Sequence, residues 1–218
     1  MKGLLNKDFR LLMGQKQFFL TVVGLGILFT FVNGDSLFAV PYVAMMMCMF
    51  TLSTISYDEH DNGGAYLFSL PVTRKVYVAE KYIYGLLLFI ASLIVTSIFS
   101  IIVMAVKQAW IGNGEFIGVL GAEVLMVTLV LGVTIPSILK FGPEKGRIAL
   151  MGIGLVIFIA IYAFYKFRWY TGIDIEQFLT DLSGMEPAVA VVVLCGISLV
   201  ILAVSYMVSL HIMKKKEY

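Results

Sequence analysis

Six runs of apolar residues, near 17–32, 37–56, 83–106, 116–139, 148–165 and 188–213, occupy most of this chain. A helix needs about 20 such residues to cross the hydrocarbon of a bilayer, and the third run carries no charged side chain at all. No water reaches the peptide groups of a segment in lipid, so each must pair its own backbone as a helix. Composition points the same way. With 60% hydrophobic and 14% charged residues, too little polar surface remains to coat a water-soluble domain. A soluble enzyme, a disordered chain and a nucleic-acid-binding domain are thereby excluded. The expected fold is an all-α integral membrane protein, one unit over residues 1–218 with six transmembrane helices.

The first run reads as a retained span rather than a secretion signal, because its exit (Thr30, Phe31, Val32, Asn33, Gly34) offers no small-x-small cleavage pattern. Orientation follows from the basic residues of the short loops. Lys2, Lys7, Arg10, Lys16, Arg74, Lys75, Lys81, Lys140, Lys145, Arg147, Lys214, Lys215 and Lys216 fall on one side, and only Lys107, Lys166 and Arg168 on the other. That bias places both termini in the cytoplasm. Trp110, Trp169 and Tyr170 fall at the outer boundaries, where amphipathic rings settle.

Four segments lie outside the spans. Residues 1–16 place Leu5, Phe9 and Leu12 on one helical face among basic residues, the pattern of a helix lying in the inner interface. Residues 57–81 open acidic, turn apolar and stop at Pro71; Thr73 is placed to cap the helix that follows. A short apolar helix beneath a membrane exposes a patch of the kind that binds a protein partner. Residues 140–147 are expected to form a sharp inner turn around Gly142, Pro143 and Gly146. In the outer segment 166–187, Ile175, Phe178, Leu179 and Leu182 share a helical face. Asp174 and Gln177 there resemble a capping box, and Gly184 suits the C-terminal end.

No stretch has the spacing of a phosphate-binding loop, so ATP hydrolysis is not expected in this chain. Catalytic residues are not found either: no H-E-x-x-H, no paired carboxylates on facing spans and no base beside a serine. Glu123 is the one carboxylate deep inside a span, a costly placement that makes it a pathway or gating candidate as well as a structural hydrogen-bonding group. Lys107 and Lys166 are its possible outer partners. Met45, Met46, Met47, Cys48 and Met49 form a soft cluster in the second run, in which Met45 shares a helical face with Met49 and with Cys48. Met45 and Met49 are read as a flexible apolar lining or plain packing, and no metal is expected. His60 and His211 lack ligand spacing, Cys48 and Cys195 form no disulfide framework, and Ser198, Ser205 and Ser209 are placed to hydrogen-bond across helices.

Three pieces carry a family resemblance. They are Leu70-Pro71-Val72-Thr73-Arg74-Lys75, then Glu80-Lys81-Tyr82 opening the third span, then Ile135-Pro136 with Lys140-Phe141-Gly142 and Glu144-Lys145-Gly146-Arg147. In these, and in its order of elbow helix, six spans and outer helix, the chain resembles the ABC type-2 export permeases. More narrowly it is similar to the six-span bacterial group that includes phenol-soluble modulin exporter permeases. The resemblance implies a multi-pass subunit of the bacterial cytoplasmic membrane, paired with a second permease as homodimer or heterodimer. Two separate ATP-binding cassette ATPase subunits would bind the ATP and Mg. It implies that the cytoplasmic segment after the second span is a coupling helix seated in a cleft of the ATPase. By position, that role falls to Asp58, Glu59, Asp61, Tyr66, Leu67 and Phe68, with Arg147 adding to the docking. The implied cargo is an amphipathic or antimicrobial-type peptide, with hydrophobic drugs, antibiotics or lipids as the alternative. A non-transporting scaffold or sensor subunit would share the same spans.

Overall fold

The computed structural model describes residues 2–32, 37, 39–60, 63–108, 112–171 and 187–216. Within them the chain is helical throughout, with no strand. The elements are α1 (Lys2–Gly14), α2 (Lys16–Val32), α3 (Ala39–Glu59), α4 (Gly63–Ser69), α5 (Arg74–Lys107), α6 (Asn113–Thr171) and α7 (Pro187–Lys215). Four helical stretches are long and apolar enough to cross a membrane: Val40–Glu59, Arg74–Lys107, Phe116–Gly142 and Val189–Lys215. Helices α1 and α2 meet at Gln15 with a bend of 67° and together supply a fifth if they form one broken span. The 17 residues of α2 reach only about 26 Å at 1.5 Å per residue, short of a hydrocarbon core of about 30 Å. The apolar run at 148–165 lies in the later part of α6. The amphipathic outer helix expected within 166–187 falls mostly on 172–186, outside the described residues, as does Trp110.

Helix α5 is the longest unbroken element. Its 34 residues extend about 51 Å, some 20 Å more than the hydrocarbon needs, so one end of it stands clear of the lipid core. Thr73 caps that end as its sequence position predicts: its backbone is extended and its hydroxyl accepts a hydrogen bond from Val76 N at 3.3 Å. Pro71 separates it from α4, and Gln108 closes the far end in the left-handed conformation at φ 52°.

The turn expected over 140–147 is shorter than its composition suggests. The break is a single residue, Gly142, at φ 79° and ψ 174°, and helix resumes at Pro143. Only glycine enters this region without strain, and proline is well suited to a first helical turn because it needs no hydrogen bond from its nitrogen. The break also has a cost. The carbonyl of Leu139 would normally accept from residue 143, which has no N–H. Pro136 leaves the carbonyl of Gly132 in the same position. Leu139 and Gly132 are both buried, so neither carbonyl can turn to water.

Both orphaned carbonyls are taken up by α7. Ser205 Oγ donates to Gly132 O at 2.6 Å, and Lys216 Nζ, just past the end of α7, donates to Leu139 O at 3.1 Å. The approach needs a bare backbone at position 132, where a Cβ would stand 3.1 Å from Ile201 Cγ2. Ser205 sits in a longer chain, since the Tyr82 hydroxyl of α5 lies 2.5 Å from Ser205 Oγ and 2.8 Å from Ser209 Oγ. Ser205 spends its single proton on Gly132, so Tyr82 donates to Ser205 and Ser209 donates to Tyr82. One directed chain thus joins α7, α5 and α6. Ser198 Oγ, expected to bond across helices in the same way, has no partner among the described residues.

Most other buried hydroxyls bond back to their own helix, as Thr96, Thr128, Thr134 and Ser137 do to carbonyls three or four residues earlier. The apolar core gathers where α3, α5, α6 and α7 meet, around Ile55, Val78, Leu131, Ile135 and Met213.

Candidate functional site

The end of the bundle that holds the start of α1, the ends of α3 and α7 and the start of α5 is its basal end. Five charged side chains converge there. Lys81 is fully buried and donates to Asp8 Oδ2 at 2.5 Å and to Thr54 Oγ1 at 3.3 Å. It also stands 2.7 Å from Asp58 Oδ2 and 3.5 Å from Glu80 Oε2. Lys7 bonds the other oxygen of Asp58 and lies 3.2 Å from Asp8 Oδ1. Tyr77 donates its hydroxyl to Asp58 Oδ2 at 3.2 Å, and its ring faces the Lys81 ammonium at 5.2 Å. Tyr84 donates to the backbone carbonyl of Asp8 at 3.3 Å.

The local sequence explains how these groups meet. Tyr77, Lys81 and Tyr84 stand at i, i+4 and i+7, one face of α5. Asp8 is the only acid of the first 34 residues, and it faces inward while the exposed Lys2 and Arg10 point away. Asp58 lies in the last turn of α3. Three carboxylates (Asp8, Asp58, Glu80) therefore meet two ammonium groups (Lys7, Lys81), and neither oxygen of the buried Glu80 has a hydrogen-bond partner among the described residues. Charges at such depth persist only when paired. The cluster fixes α1, α3 and α5 to one another.

A second basal contact lies beside it. Lys216 donates to Glu59 Oε1 at 2.5 Å as well as to Leu139 O, and Arg74 Nη1 donates to the carbonyl of Lys214 at 2.9 Å. The end of α3, the break in α6, the start of α5 and the end of α7 are thereby tied.

Of the coupling candidates chosen by position, Asp58 and Glu59 are thus engaged inside the chain. Leu67 and Phe68 of α4 pack on the core, with the Phe68 ring edge-on to Tyr77 at 5.6 Å. Tyr66 is 71% exposed and Leu70, just past α4, is 44% exposed. Asp61 and the Arg147 side chain lie outside the described residues. Asp8, Glu80, Lys81 and Lys216 are not among the site candidates that sequence supplies; Glu80 and Lys81 enter there only through the resemblance. The readable signal is a lone acid in a basic helix, together with the charged pair Glu80 and Lys81 at the entry to a charge-free run.

A family model described as ABC-2 family transporter protein matches residues 3–214. The chain belongs to the ABC-2 transporter family. Comparison with curated proteins and with solved structures gives no match. As an ABC-2 family chain it is a multi-pass membrane component of a transporter, and the family implies an ATP-binding cassette partner and a bilayer around it.

The other candidates of this ABC-2 chain lie farther along the bundle. Glu123 is buried and lines a narrow cleft of about 60 Å3 with Pro41, Met45, Cys48 and Met126. Met45 thus shares the cleft with Glu123, whereas Met49, also exposed, does not line it. Lys107, a candidate partner of Glu123, donates instead to the carbonyl of Thr30 at 3.2 Å. No group of three or more His, Cys, Asp or Glu side chains able to hold a metal ion occurs among the described residues.

Proposed function

We propose that this chain is the six-span permease subunit of an ATP-driven exporter, with both termini and the basal end in the cytoplasm of a bacterial cell. Two such subunits, identical or related, form the pathway. ATP and Mg bind to separate ATPase subunits docked beneath them. Helix α4 is the coupling helix, and the exported cargo is an amphipathic peptide.

The observation that carries this reading is the contact route out of α4. Its exposed Tyr66, with Leu70, offers an apolar anchor of the kind that dominates protein interfaces. Two residues on from Tyr66, Phe68 packs against Tyr77. Tyr77 holds Asp58, and Asp58 shares Lys81 with Asp8. A push on α4 therefore reaches α3, α5 and α1 through packed rings and buried charges, neither of which compresses. The four candidate spans and the apolar flanks of α5 and α7 fit a cargo that travels beside lipid.

The test is reconstitution of the chain with its ATPase partner in proteoliposomes. Amphipathic peptides are expected to stimulate ATP turnover, and Tyr66→Ala to abolish that stimulation while leaving the melting temperature of the isolated permease unchanged. Stimulation by hydrophobic drugs or lipids but not by peptides would replace the cargo. Full stimulation in the Tyr66→Ala complex would remove α4 from the coupling role.

A further inference from the structure

We infer that the basal groove between α6 and α7 binds one anionic phospholipid, its headgroup held by Lys140 and Lys215. The groove has a volume of about 700 Å3, within the range of about 300–1,000 Å3 that accommodates a small organic ligand. Phe141, Val208 and Ile212 supply apolar wall, Lys140, His211 and Lys215 line it as well, and no acidic residue lines it among the described residues.

The cations are placed at a common depth. Lys140 lies in the last turn of the stretch Phe116–Gly142 and Lys215 in the last turn of Val189–Lys215, the two stretches long and apolar enough to span. In a bilayer both ammonium groups thus reach headgroup level while the wall above them lies in hydrocarbon. A third lysine of the groove, Lys216, is already neutralised by Glu59. No described carboxylate forms an ion pair with Lys140 or Lys215. The Lys140 ammonium is held over the ring of Phe141 at 4.9 Å, which keeps its charge at the groove.

Charge selects the occupant. A second copy of the chain related by a two-fold axis would bring Lys140 and Lys215 against the same cations. A neutral lipid would fill the wall and leave the lysines unmatched. An anionic lipid satisfies both, and basic pockets between spanning helices are suited to such headgroups.

The experiment uses the full chain, purified and equilibrated with mixed phosphatidylglycerol and phosphatidylcholine, and counts retained lipid by native mass spectrometry. Each lysine near an anionic headgroup is worth about a fivefold preference, so two give roughly 25-fold. The expected result is retention of one phosphatidylglycerol with that preference. Lys140→Gln with Lys215→Gln should reduce it to within about twofold, whereas Lys140→Arg with Lys215→Arg and the basal control Lys75→Gln should preserve it. Equal retention of the two lipids by the parent chain would overturn the proposal, as would an equal loss in Lys75→Gln. Displacement of the lipid by millimolar inorganic phosphate would show an anion site instead. Disulfide formation between two copies carrying Val208→Cys in the native membrane would show the groove covered by a second permease.

Discussion

Replacing Lys81 by methionine is the most direct test of the basal cluster. The side chain is nearly isosteric, so the change removes charge with little change in packing. Asp8 would lose the ammonium at 2.5 Å and keep only Lys7 at 3.2 Å. Glu80 would lose the cation at 3.5 Å, leaving both its oxygens buried without hydrogen bonds. Asp58 would keep Lys7 and Tyr77. Breaking one buried pair by removing a partner costs about 3–5 kcal/mol, against a total stability of about 5–15 kcal/mol for an ordinary domain. At roughly 2–4 °C per kcal/mol for a chain of this size, the melting temperature in detergent should fall by about 10 °C. The assay is thermal unfolding followed by size-exclusion of a fluorescent fusion. The control decides the mechanism: Lys81→Met combined with Asp8→Asn and Glu80→Gln leaves no stranded charge and should recover most of the loss. If the triple variant melts no higher than the single one, the penalty is not electrostatic and the reasoning fails. If Lys81→Met melts with the parent, the cluster is not holding the three helices.

Three further outcomes are expected. Ser205→Ala strands the Gly132 carbonyl and should cost about 1–3 kcal/mol, but on a Pro136→Ala background, where residue 136 regains its N–H, the same change should cost far less; additive losses in the double-mutant cycle would contradict the latch. Glu59→Lys sets two cations together at the end of α7 and should lower the melting temperature of the permease without any ATPase present, so a variant that melts normally yet fails to recruit the ATPase would return Glu59 to a docking role. Glu123→Gln should keep the fold and change the transport rate or its pH profile, measured in proteoliposomes, and an unchanged profile would leave Glu123 a packing residue of its cleft.

The helices were legible because the bilayer leaves the backbone one option. Apolar runs became helices at α3, α5, the first part of α6 and α7, and Thr73 and Pro71 marked the ends near them because capping and proline geometry are local. What sequence could not supply was partnership over distance. Lys81 and Asp8 are 73 residues apart, and Lys216 and Glu59 are 157 apart. A charge near a span end reads equally well as solvated or paired, and counting basic residues by loop treats Lys7, Lys81 and Lys216 as surface charge. The same ambiguity turned Asp58 and Glu59 outward in the sequence reading. Their inward placement follows from the surplus length of α5, which carries Lys81 down to the level of the α3 terminus. The paired prolines were visible as a turn signal, but their consequence was not. Pro136 and Pro143 are seven residues apart, so they open carbonyls on one face of α6, and Ser205 and Lys216 are eleven apart, three turns along one face of α7.

These two kinds of fastening differ in strength, and the difference assigns the motion in the proposed cycle. Parting α1, α3 and α5 would strand three carboxylates and two ammonium groups in or near lipid, at several kcal/mol for each unpaired ion. Releasing α6 from α7 breaks neutral hydrogen bonds such as Ser205 to Gly132, at about 1–3 kcal/mol for a carbonyl left unpaired. It also opens at Gly142, where the backbone is already non-helical. In the proposed cycle a force on α4 would move α1, α3 and α5 together, with Gly142 the point at which α6 bends. Lys216 sits at the boundary between the two, with its ammonium shared by Glu59 of the rigid body and Leu139 of the yielding helix. It can give up the carbonyl while keeping the carboxylate, so a release of α6 in the proposed cycle would leave Lys216 on Glu59.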